Sequence, residues 1–147
     1  MTGSYILQID KHKFNNNSID PTCPLCKADD ETIIHLITTC PILSCIREKH
    51  FTIIKEIILK KLTSQTWTEI CNTKLAITKL VIDCTSFEGC IGNDNVLMSE
   101  IEKHTRNFLF QLHVTRLNVI RDQITRLIHG QNQLERIDAI SNLQKGI

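Results

Sequence analysis

An all-α fold, a bundle of about three to five helices, is what this sequence predicts, and three observations lead there. Only five Gly and three Pro occur among 147 residues, too few turn formers for a many-stranded β fold. Apolar residues return at three- and four-residue steps over long stretches, the period of a helix with one buried face. Hydrophobic residues make up 41% of the chain but aromatics only 5%, so Ile and Leu must fill the core. The length suits about one domain, by the usual range of roughly 100–200 residues each.

Taken in order, Met1 to Thr22 is polar, with three Asn at 15–17, and little regular structure is expected. Tyr5, Ile6, Leu7 and Ile9 allow a short strand or one helical turn, and Asp20-Pro21 reads as a turn. Cys23-Pro24-Leu25-Cys26 is a tight turn. Asp29, Asp30, Glu31 and Thr32 suit a helix N-terminus, whose unpaired N–H groups and positive dipole end favour carboxylates. A helix is expected from about Glu31 to Thr38. From Pro41 to Leu62, Ile42 or Leu43, Ile46, His50, Ile53 or Ile54, Ile57 and Leu62 recur at helical steps, with Lys and Glu largely opposite.

A third helix, capped by Ser64 or Thr66, is expected over about Trp67 to Cys84, its apolar side marked by Trp67, Ile70, Leu75, Leu80 and Val81. Ser86 to Asn95, with Gly89, Gly92, Asn93 and Asp94, reads as a loop. A long helix follows from about Leu97 to His129, and Gly130 is its expected stop. Leu134, Ile137 and Ile140 suggest a last short helix. Two regions result, residues 1–62 and a helical stretch over 63–147, expected to pack as one domain.

A net charge of +1 creates no strong global field toward nucleic acid or membrane. The longest apolar runs, such as Ile57 to Leu59, are far too short to cross a bilayer, so no membrane partner is expected. Met1 to Asp10 lacks the basic start and apolar stretch of a signal peptide. Seven cysteines, an odd number, without such a peptide suggest reduced thiols in an intracellular protein. Metal binding is then the first use to test for any close Cys pair.

One cluster meets that test. Cys23, Cys26, His35 and Cys40 follow the pattern Cys-x2-Cys-x8-His-x4-Cys. Thiolate and imidazole are the ligands Zn²⁺ prefers, and four of them close a tetrahedral structural site with no open position for a catalytic water. One structural zinc ion is the expected cofactor, which places a small CCHC knuckle ahead of the helical bundle. His35 and Cys40 are five residues apart, roughly 140° out of register on one unbroken helix at about 100° per residue. Pro41 resolves the conflict: it disfavours helix at the residue before it and suits the first position of a new one. The first helix should therefore end at about Thr38 or Thr39, with Cys40 at the break. The bland alternative is four unlinked buried residues, since Cys is often simply core. Cys45 and His50 are spare ligand candidates, and Cys45 fits core packing better.

At these residues the sequence resembles a known family. Asp20-Pro21-Thr22-Cys23-Pro24-Leu25-Cys26, Glu31-Thr32, His35-Leu36 and Cys40-Pro41 are similar to the zinc-binding domain at the C-terminal end of non-LTR retrotransposon reverse transcriptases. Thr2-Gly3 followed by Leu7 resembles the segment ahead of that zinc. The likeness is specific over about residues 2–50, and a weaker one continues through Leu80 to Cys84 and the helix from Ile101 to Leu117. It implies zinc on Cys23, Cys26, His35 and Cys40, a truncated copy lacking the polymerase, and a role in assisting RNA or DNA engagement. The remainder of a reverse transcriptase would be a partner.

The residues alone speak less clearly about nucleic acid. Residues 1–62 hold eight Lys/Arg against seven Asp/Glu, without an obvious basic face. The candidate phosphate contacts are Lys11, Lys13, Lys27, Arg47 and Lys49, with His12 beside them, if the metal gathers these segments. The alternative is a solvated mixed-charge surface. Arg106, Arg116, Arg121 and Arg126 point in different directions around a helix and form no stripe. Cys71, Cys84 and Cys90 have no close partner at metal spacing, and His104 and His113 do not share a helical face. No polymerase Asp pair, phosphate loop or nucleophile elbow occurs, so no enzymatic activity is expected. Two readings follow: a nucleic-acid-associated zinc module, or a zinc-braced helical module for protein–protein interaction, including self-association.

Overall fold

The computed structural model describes the backbone of residues 7–144 and the side chains of residues 7–131. Among the described residues the regular elements are all helical, and residues 15–32 form turns and loops. The elements are α1 (Gln8–Phe14), α2 (Ile33–Thr38), a 3₁₀ turn at Pro41–Leu43, α3 (Ser44–Leu59), α4 (Ser64–Ile70), α5 (Lys74–Ile82), a second 3₁₀ turn at Cys84–Phe87, α6 (Glu88–Ile91) and α7 (Asn95–Gln144). Among the described residues the only β pairing is an isolated antiparallel bridge between Thr22 and Asp30. The chain divides into two compact units, residues 1–115 and 116–147.

Short polar caps set where the helices of the first unit begin. The hydroxyls of Thr32, Thr63 and Thr73 accept from the backbone N–H of His35, Thr66 and Ala76. Asp94 accepts from Val96 and Leu97 at the head of α7. Each cap satisfies a donor that the first helical turn leaves without a partner.

The apolar faces converge on one core. Ile54, Ile57 and Ile58 from α3 meet Ile70 of α4, Leu80 of α5, Cys84, Ile91 of α6, and Leu97 and Ile101 of α7. Further along, His50 stacks on Phe108 with ring centroids 5.3 Å apart, and Phe51 meets the same ring edge-on. Of the alternatives the periodicity left open, Leu43 and Ile54 are fully buried, while Ile42 stays exposed. α2 packs against α5, which ties the ligand segment to the helices behind it.

Four expectations need correction. Residues 8–14 form a helix where little regular structure was expected. Asp10 accepts from the Leu7 N–H, and the buried Glu31, 23 residues away, accepts from the Gln8 N–H at 2.8 Å. That second, distant carboxylate is invisible to a local reading. Tyr5 and Ile6 lie outside the described residues.

The expected helix over 67–84 is two helices, because Thr73 caps a fresh start after α4 ends at Ile70. The restart shifts the register, so Leu75 is exposed and Thr78 is buried, its hydroxyl donating to the Lys74 carbonyl. The expected loop over 86–95 is helical as far as Ile91, and Gly92, at φ +80°, ends it; that left-handed conformation suits glycine. Gly130 does not stop α7, which runs on to Gln144. A glycine permits a left-handed cap without requiring one, at a cost of about 1 kcal/mol when it stays helical. The side chains of Leu134, Ile137 and Ile140 lie outside the described residues.

Candidate metal centre

The knuckle is built by backbone pairing around the Cys23–Cys26 turn. The Cys23 N–H donates to Asp29 O at 2.8 Å, Glu31 N–H to Pro21 O at 2.8 Å, and Lys27 N–H to Cys23 O at 2.9 Å. Asp20 accepts from the Thr22 N–H and steadies the entry. To close the turn, Lys27 adopts a left-handed φ of +58°, a conformation costly for a side-chain-bearing residue. The turn leaves Cys23 and Cys26 on the same side, facing α2.

α2 then supplies His35, and the break after it supplies Cys40. The last residue of α2 is Thr38, as the register argument requires. Cys40 N–H still bonds back to His35 O at 2.8 Å, but its own backbone is extended (φ −56°, ψ 118°), and Pro41 opens the next turn. The proline forces its predecessor out of helix, and that turns the Cys40 sulfur back toward the others.

All four ligand atoms lie within 4.8 Å of one another, with Cys23, His35 and Cys40 buried and Cys26 half-buried. Metal–sulfur bonds near 2.3 Å and metal–nitrogen bonds near 2.1 Å place ligands of one tetrahedral ion roughly 4 Å apart, so the cluster can hold a metal ion. It is the one such cluster of His, Cys, Asp or Glu among the described residues.

The surroundings prepare these groups for a cation. His35 Nε2 faces the Cys26 sulfur at 3.3 Å. On its other side, His35 Nδ1 lies 3.1 Å from the Thr39 hydroxyl and 3.6 Å from an Asp29 carboxylate oxygen. Thr39 donates its own proton to His35 O, so its oxygen is left to accept from Nδ1–H. That tautomer frees the Nε2 lone pair for a metal, the outer contact that ligating histidines ordinarily have.

Backbone N–H groups point at each sulfur: Leu25 and Cys26 at Cys23, Ala28 and Asp29 at Cys26, Ile42 at Cys40. Without a cation the thiols are unevenly poised. Burial raises Cys23, and burial together with its two sulfur neighbours pushes Cys40 up to about 12. At Cys26 burial is outweighed by the Ala28 and Asp29 N–H groups and the neighbouring thiols, and its value is lowered. A bound cation is what would bring all three to thiolate together.

The other candidates are not brought to this cluster. Cys45, expected to suit the core, is instead exposed, and His50 is buried against Phe108, with its Nε2 2.9 Å from Gln111 Oε1. All seven cysteines are free. Lys11, Lys13, Lys27 and Lys49 are solvent-exposed, and Lys27 and His12 face the Asp20 carboxylate. Arg47 differs: it is half-buried and donates from Nη2 to the Cys40 carbonyl at 3.0 Å.

A reading from the sequence named Thr39, Lys27 and Glu31 only as a helix end, a phosphate contact and a helix N-terminal carboxylate, and missed that Thr39 meets His35 Nδ1, that Lys27 takes the left-handed turn and that Glu31 accepts from the Gln8 N–H. Only Thr39, one turn after His35, had a local signal. Among the described residues, no helix is long and apolar enough to cross a membrane. No protein-family model, curated protein or solved structure matches the chain.

Proposed function

We propose that this chain is a structural zinc module of the reverse-transcriptase-associated kind found in non-LTR retrotransposons, assisting RNA or DNA binding without catalysis of its own. The observation that carries it is the convergence of Cys23, Cys26, His35 and Cys40 across a helix break at Cys40-Pro41. Three thiolates and one imidazole are a soft, nitrogen-and-sulfur set that suits Zn²⁺ and disfavours Mg²⁺ or Ca²⁺. With all four positions filled by protein, the ion braces the chain and leaves no position for substrate. The sequence around the ligands, from Asp20-Pro21 through Cys40-Pro41, resembles that family and supports the nucleic-acid role. The exposed Lys11, Lys13, Lys27 and Lys49 are the side chains free to meet phosphate.

The test is binding of single-stranded RNA and duplex DNA by the zinc-loaded chain across a salt series. Affinity should fall as salt rises and weaken further in a Lys11→Glu, Lys13→Glu double variant. Binding that ignores both salt and these charges, or no binding at low salt, would sink the nucleic-acid reading.

A second reading has its own observation. In unit 116–147 the helix leaves Leu117, Ile124, Leu127 and Ile128 about half to two-thirds exposed, an apolar surface of the kind that marks protein contacts. Concentration-dependent self-association without nucleic-acid binding would favour a zinc-braced interaction module.

A further inference from the structure

Arg47 behaves unlike the other basic residues near the metal cluster. It stands on α3, seven residues after Cys40, and its Nη2 donates to the Cys40 carbonyl at 3.0 Å. Its Nη1 is buried and has no hydrogen-bond partner among the described residues. A guanidinium placed this way is poorly disposed to grip a phosphate, which needs its fork presented to solvent.

The charge balance of the centre gives it another task. Three thiolates and a neutral imidazole around a dication leave a net charge of −1 at a largely buried site. A buried charge without a counter-charge is costly. Beside the cluster, the Asp29 carboxylate near His35 adds to the negative charge, while Arg47, bonded to the Cys40 carbonyl, opposes it.

We infer that Arg47 is a positioning residue for the metal centre, its charge compensating the anionic ligand set and its Nη2 holding the Cys40 carbonyl at the helix break. This rests on the metal reading above. It removes Arg47 from the nucleic-acid contacts and gives it to the zinc.

The experiment compares wild type, Arg47→Gln, Arg47→Lys and Lys49→Gln as full chains loaded with zinc. The readouts are the rate of zinc transfer to an excess of a chromogenic chelator, and the thiolate-to-cobalt charge-transfer band after cobalt replacement. Glutamine can still donate to the Cys40 carbonyl but has no charge, whereas lysine keeps the charge and loses the fork. Loss of an outer contact typically costs 10–100-fold in metal affinity. Arg47→Gln should therefore release zinc about tenfold faster and shift the cobalt band. Arg47→Lys should stay nearer wild type, and Lys49→Gln, an exposed neighbour, should match it.

An Arg47→Gln protein with wild-type release and a wild-type band overturns the inference while leaving the zinc site intact. Equal acceleration in Arg47→Gln and Arg47→Lys also overturns it, because charge would then not be what matters. Should Arg47→Gln not fold, Arg47→Lys decides: a band close to wild type with release less than threefold faster supports the role, and tenfold faster release refutes it. A wild-type chain that holds no metal fails both the site and this inference.

Discussion

The ligand segment from Cys23 to Cys40 and the helical core behind it are ordered by different physics. The core is a set of aliphatic side chains, Ile54, Ile57, Ile58, Ile70, Leu80 and Ile101 among them, each nearly or fully removed from water, and its stability grows with apolar area buried. The ligand segment has one six-residue helix, a tight turn and an isolated bridge. Its buried groups include three ligands and the Glu31 carboxylate. Helices this short do not persist alone, so the segment depends on what its ligands hold. One region is therefore sensitive to volume and the other to chemistry, and perturbations should separate the two.

The largest separation is expected from the metal. Structural zinc sites in small modules have apparent binding free energies of about 10–16 kcal/mol near neutral pH. Cys26→Ser should lose the ion and the order of residues 23–40, seen as loss of amide protection there, with slower exchange retained in α3. Phe108→Ala should do the reverse. It removes a fully buried ring at a cost of about 3–5 kcal/mol, measurable by denaturant unfolding, while zinc stoichiometry stays at one per chain. Loss of zinc in Phe108→Ala would show that the regions are not separable.

A smaller effect should come from the outer contact on His35. Thr39→Ala removes the hydroxyl that accepts from Nδ1 and should weaken zinc by about tenfold in a chelator competition, with little change in core stability. Thr39→Ser should restore it.

Cysteine chemistry sharpens the contrast further. Cys45 and Cys90 are exposed, whereas burial pushes the Cys71 thiol up to about 11. Because the thiolate is the reactive form, alkylation of the zinc-loaded protein followed by peptide mapping should modify Cys45 and Cys90 first, Cys71 slowly, and the three ligands only after chelation.

The smallest predicted effect is at Asp94, which caps α7 and bonds Lys61 at 2.7 Å. The Lys61 side-chain bond, then the Leu97 N–H, hold this carboxyl below the usual range. A depressed folded value means the stabilisation is present above the unfolded value and is lost as pH falls through the folded one. Asp94→Ala should lower Tm slightly at neutral pH, and the gap from wild type should close on acidification.

Where the residues announce structure and where they do not follows the same division. The helix break at Cys40-Pro41 is written in two adjacent residues, because proline acts on its neighbour and the metal spacing forbids a continuous helix. The burial of His50 follows from period alone, whereas period left Ile53 and Ile54 as alternatives and the fold buries Ile54 fully. The break after α4 was hidden, since Thr73 resembles any other polar helix residue until it caps. Gly130 misled for the opposite reason, being a permissive signal that the helix does not use. Arg47 is the sharpest case: by composition it joins Lys11 and Lys49 as a surface cation, and only the fold turns it toward Cys40.

The central claim, that four side chains gather one zinc ion which in turn orders the ligand segment, is tested most directly by native mass spectrometry of the intact chain before and after chelation, with circular dichroism on the same samples. One zinc per chain is expected in wild type and none in Cys26→Ser, with chelation lowering helicity and zinc restoring it. A metal-free wild-type chain whose helicity ignores chelator would contradict the account.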